Sequence, residues 1–105
     1  MRYSQMTVLG TVNFAGFSCK VILDRYMVDS KPALVLVESA TGENIGKVSV
    51  NLSNIADIPS DHIAIKNYSE LEGILDILIE ANIISDPVRY IKSGHVNIPI
   101  CKLYV

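Results

Sequence analysis

Apolar and polar residues alternate with a period of two through most of the first two thirds of the chain, which is the pattern of strands. Thr7–Phe14 sets Val8 and Val12 on one face with Gly10 between them, opposite Leu9 and Thr11. Ala15-Gly16 is a turn signal, and 17–28 then alternates again. Phe17, Cys19, Val21 and Leu23 share one face there; Ser18, Lys20, Ile22 and Asp24 share the other. After the loop Asp29-Ser30-Lys31-Pro32, the strand over 33–38 is apolar on both faces, as a central strand covered on both sides would be. Thr41-Gly42-Glu43-Asn44 reads as a hairpin loop. The alternation over 45–52 turns Val48, Val50 and Leu52 inward and Lys47, Ser49 and Asn51 outward, and 62–66 is a short strand with Ile63 and Ile65 inward.

The period then changes. Leu71, Ile74, Leu75, Leu78 and Ile79 recur at the spacing of one helical face. Ser69-Glu70-Leu71-Glu72 has the form of a capping box, which predicts a helix starting at Ser69. Gly73 weakens that helix by about 1 kcal/mol relative to Ala, and Asn82 is its expected stop. Strands follow over 88–92 and, after a Ser93-Gly94 break, over 95–105. Pro99 lacks an amide donor, which points to an edge position for the last strand. The expected fold class is α+β: one domain over 1–105, an antiparallel sheet of five or six strands, and one α-helix packed on a face.

Composition narrows the function classes. The chain has 105 residues, of which 50% are hydrophobic and 19% charged, and its mean hydropathy is +0.34. That suits one packed core and argues against a disordered adaptor. A net charge of -2 leaves no uniformly basic surface, so direct nucleic-acid binding is not expected. The longest aliphatic run, Ala33-Leu34-Val35-Leu36-Val37, is far below the roughly 20 residues that cross a bilayer. The N-terminus Met1-Arg2-Tyr3-Ser4-Gln5-Met6-Thr7-Val8 shows no charged leader followed by an apolar stretch. Spacing alone leaves a bridge between Cys19 and Cys101 open. Without an export signal, two reduced, half-buried thiols and a cytoplasmic location are the expectation.

Motifs for chemistry are missing. The sequence has no nucleophile elbow, P-loop, dinucleotide fingerprint or HExxH. Cys19, Cys101, His62 and His95 lack the short local spacing of zinc ligands, and both histidines read as surface residues at strand ends. Asp57 and Asp61 read as turn residues. The expectation is a non-enzyme without cofactor or metal.

Charge patterning supplies the candidate site. From 57 to 86 stand Asp57, Asp61, Glu70, Glu72, Asp76, Glu80 and Asp86, against Lys66 alone. Glu72, Asp76 and Glu80 fall at successive i, i+4 positions opposite the apolar stripe. They read either as a solvated face or as an acidic ridge that competes with nucleic acid for a basic groove. Arg89, Tyr90 and Lys92 form a basic segment with an aromatic interleaved. Phosphate and base contact is one reading of it; a structural hairpin that pairs with the acidic helix is the favoured one.

The ordered series of a 33–36 strand, Val50-Asn51-Leu52, Ile63-Ala64-Ile65-Lys66-Asn67, one helix, and Lys92-Ser93-Gly94 followed by Pro99 resembles a family of small uncharacterised proteins carried by phages and mobile elements of bacteria. The resemblance covers roughly residues 17–103 and brings no catalytic residues. It implies an accessory factor, of the kind that inhibits host defence by binding a protein. The leading expectation is therefore a non-enzymatic module that docks Glu72, Asp76 and Glu80 on a bacterial protein with a basic groove, as anti-CRISPR inhibitors do. Two alternatives stand beside it. One is a homodimeric structural or assembly protein joined through the edge of the strand ending in Lys102-Leu103-Tyr104-Val105. The other is a small-ligand module with a pocket between helix and sheet.

Overall fold

The computed structural model describes residues 7–104. Residues 1–6, which belong to the stretch expected to carry no leader, and Val105, the end of the last expected strand, lie outside the described residues. Four strands form an antiparallel meander in chain order: β1 (Thr7–Phe14), β2 (Phe17–Arg25), β3 (Pro32–Glu38) and β4 (Asn44–Lys47). Ala15 and Gly16, both at positive φ (52° and 85°), make the two-residue turn between β1 and β2. That is the mirror-image turn whose twist matches the twist of the flanking strands. β3 is buried on both sides, as its sequence predicts. Leu34 and Leu36 face the main core, while Val35 and Val37 join Ile22 in a smaller cluster.

The expectation of a single sheet fails at Val48. Its N–H donates to the Leu34 carbonyl (2.9 Å), but its own carbonyl accepts from the Lys66 N–H (2.8 Å). The chain thus leaves the first sheet and enters a second within one residue. β5 (Ser49–Val50) pairs with β6 (His62–Ile65), and the second sheet runs β5-β6-β8-β7, with β7 (Arg89–Ser93) and β8 (Val96–Lys102). The class is α+β and mostly antiparallel with one helix, α1 (Ile74–Glu80), but it holds two four-stranded sheets instead of one of five or six. Period-two alternation reports which face a residue takes, not which strand its backbone pairs with. The main core joins both sheets and the helix through Val21, Leu36, Val48, Ile65, Leu78 and Cys101.

The switch also reverses one face assignment. Ser49, expected outward, is buried at 2% exposure. Its Oγ accepts from the Leu34 N–H (3.0 Å) and lies 2.8 Å from the Tyr26 hydroxyl, so the buried polar group is satisfied.

Pro99 is not at an edge. β8 lies between β6 and β7, and Pro99 is buried opposite Tyr90. The ladder to β6 ends with Ala64 opposite Ile100. The next carbonyl along β6, that of Ile65, accepts instead from the Asn67 N–H (3.1 Å). No ladder bond is asked of residue 99, so the missing donor costs nothing there. Nor is the end of this strand a free apolar edge: Leu103 is buried, donates to the Asp61 carbonyl (2.8 Å) and bridges to Ile84.

The capping box does not form. Ser69 has a φ of 55° and opens only a short 3-10 turn, Ser69–Leu71, without a side-chain cap. Gly73, at φ 96°, reorients the chain, and α1 begins at Ile74. A left-handed backbone there favours glycine, so Gly73 serves the helix entry instead of weakening a helix interior. The cap comes from Asn67, whose Oδ1 accepts from the N–H groups of Gly73 and Leu75, both at 3.0 Å. Leu71, Ile74 and Leu78 are buried and Leu75 is half-buried. The stop falls where the sequence puts it. Asn82 is left-handed (φ 59°), its N–H reaches the Ile79 carbonyl, and the Ile83 N–H reaches that of Leu78, a Schellman closure.

Candidate functional site

Each predicted site residue is exposed, but the two groups occupy different elements. Glu72 follows the 3-10 turn, Asp76 lies in the first turn of α1, and Glu80 is its last residue. Because the helix begins only at Ile74, the i, i+4 series is helical at Asp76 and Glu80 alone. Asp76 complements the positive helix start, whereas Glu80 stands at the negative end with no basic residue in the last turn. Nearby Glu70 is engaged by Lys66 at 2.7 Å, and this pair holds the Glu70 carboxyl below its ordinary pKa.

Arg89, Tyr90 and Lys92 lie on β7, the edge of the second sheet. The expected pairing of this hairpin with the acidic helix does not occur. Among the described residues the close acid–base contacts are Asp61 with His62 and Lys66 with Glu70, and neither joins β7 to α1. Arg89 instead donates from Nη2 to the Asp57 carbonyl (2.8 Å), tying β7 to the 52–61 loop. Lys92 is exposed, and Tyr90 is 59% exposed. Gly94, at φ 62°, supplies the first central position of the turn into β8, where the next strand starts at Val96.

A third constellation had only turn-forming residue types as its signal. A shallow cleft opens between the β2–β3 loop, the segment after β5 and the start of β6, with Tyr26, Lys31, Asn51, Ser53 and His62 in its wall. Asp29 organises one side. Its carboxylate accepts from the Lys31 N–H (3.0 Å), Asn51 Nδ2 (3.1 Å) and the Ser53 hydroxyl (2.7 Å). These bonds, the Lys31 amide first, lower its pKa. Ser53 Oγ also lies close to Asn51 Oδ1. Across the cleft, His62 Nδ1 meets Asp61 Oδ1 at 2.6 Å, which lowers the Asp61 pKa, and the Lys31 ammonium donates to the Ile58 carbonyl (3.2 Å). This network fastens the β2–β3 loop to the β5–β6 loop.

Cys19 and Cys101 are unlinked and fully buried, deeper than the half-buried thiols expected. Among the described residues no three or more His, Cys, Asp or Glu side chains cluster closely enough to hold a metal ion, and no helix is long and apolar enough to cross a membrane. Comparison with family models, with curated proteins and with solved structures finds no match for the chain.

Proposed function

We propose that the chain is a non-enzymatic protein-binding module of a phage or mobile element, an inhibitor of a bacterial defence system of the anti-CRISPR kind acting in the host cytoplasm. It docks the face carrying Glu72, Asp76 and Glu80 on a basic groove that otherwise holds nucleic acid. The observation that carries this reading is the state of these three carboxylates: exposed and outside the acid–base contacts described, while Glu70 beside them is neutralised by Lys66. A face of uncompensated acids raises the association rate with a basic surface and repels nucleic acid from it.

The test begins with a tagged protein, a bacterial lysate and identification of what is retained. Binding of the purified partner is then measured for the wild type and for the triple variant Glu72→Lys, Asp76→Lys, Glu80→Lys. The expected result is loss of binding with the fold intact, together with weaker wild-type binding as salt rises, because exposed charges are screened over about 8 Å at physiological ionic strength. A triple variant that binds as well as the wild type at every salt concentration overturns the reading.

A further inference from the structure

The outer edge of β7 carries an inference that does not depend on the acidic face. Ser93 and Val96 close a two-residue turn, which makes them a hydrogen-bonded pair. Bonded pairs then alternate along the register, at Ile91 opposite Ile98 and Arg89 opposite Ile100. The backbone groups of Arg89, Ile91 and Ser93 are therefore spent on β8, and those of Tyr90 and Lys92 point away from the sheet. Such an edge is a template for another strand. β1, at the edge of the first sheet, is interrupted by a bulge between Val8 and Gly10, whereas β7 runs regularly from Arg89 to Ser93.

We propose that β7 pairs with β7 of a second copy of this chain, antiparallel and two-fold symmetric about Ile91. Each Tyr90 then lies opposite Lys92 of the other copy in a hydrogen-bonded pair, giving four backbone bonds across the junction. Ile91 meets its own counterpart in the non-bonded pair between them, and Arg89 falls opposite Ser93, so no like charges oppose one another. Centring on Lys92 would set two lysines face to face. Centring on Tyr90 would bring Lys92 opposite Val88, whose N–H is already turned inward to the Ile100 carbonyl (2.8 Å). Lysine over tyrosine is a contact this fold already uses twice: Lys47 lies 5.1 Å from the Tyr26 ring centre and Lys66 lies 5.7 Å from that of Tyr68.

Sedimentation of the purified chain across a concentration series tests the pairing. The wild type is expected to dimerise. Tyr90→Lys, which sets a lysine opposite Lys92 twice over, weakens the dimer by about tenfold or more. The double variant Tyr90→Lys, Lys92→Glu restores it through opposite charges. Ile91→Cys gives a disulfide-linked dimer on mild oxidation, because a non-bonded antiparallel pair brings its Cα atoms to about 4.5 Å, within disulfide reach. Circular dichroism confirms that each variant is folded. A wild type that stays monomeric at every concentration, or a dimer indifferent to Tyr90→Lys, overturns the proposal.

Discussion

Asn67 caps the helix that Ser69 was positioned by sequence to cap: Asn67 Oδ1 stands 3.0 Å from the Leu75 N–H, across eight residues of chain. The same oxygen accepts from Gly73, so a single side chain closes the 3-10 turn onto the start of α1. Replacing Asn67 by Ala leaves two amide donors at the helix entry without this acceptor and is expected to cost about 1–2 kcal/mol. Ser69→Ala should change stability by less than about 0.5 kcal/mol, since that side chain makes no capping bond. Urea unfolding of the two variants checks the order. Equal losses would mean that the capping assignment is wrong.

Ser49 is the buried polar residue at the point where the chain changes sheets. Ser49→Ala removes the acceptor for the Leu34 N–H and the partner of the Tyr26 hydroxyl. Leaving a buried donor unsatisfied costs about 1–3 kcal/mol. Tyr26→Phe deletes only the hydroxyl and leaves the bond from Leu34 in place, so its loss should be the smaller. The denaturant midpoints of the two variants, measured side by side, decide it.

The buried thiols give the fold an alkaline limit. Burial pushes the Cys101 thiol up to about 11 from an ordinary value of 9.0. It raises Cys19 as well, with Glu38 adding to the effect. Above about pH 9 the unfolded chain loses thiol protons that the folded chain keeps, so ionisation favours unfolding. The stability is fully present below the unfolded value and is lost as pH rises toward the folded one. Tyr26, also raised by burial, acts in the same direction at its own higher range. Urea midpoints should therefore be flat from neutral pH to about 8.5 and fall between about 9 and 11. At pH 8 a thiol reagent should find no reactive group in the native chain and both cysteines once it is unfolded. Rapid labelling of the native protein would contradict their burial.

The local elements were legible because each has a short-range cause. Alternation placed β1 and β2, an apolar run placed β3, Ala15-Gly16 and Ser93-Gly94 marked the β1–β2 and β7–β8 turns, and Asn82 ended the helix by tolerating the left-handed backbone that a Schellman closure needs. The exposure of Glu72, Asp76, Glu80, Arg89 and Lys92 was legible for a similar reason, since charge keeps a side chain in water. What remained hidden depends on partners distant in sequence. Arg89 finds a carbonyl 32 residues away, Ser49 is buried by Tyr26 and Leu34, and Asn67 displaces Ser69 because Gly73 turns the chain toward it. The division into two sheets rests on Val48, which donates to one sheet and accepts from the other. Pro99 is tolerated between two strands because the carbonyl of Ile65 is satisfied by Asn67. A side-chain pattern carries the faces of strands and helices. Backbone donors and acceptors carry no such pattern, so their pairing was decided only when the whole chain packed.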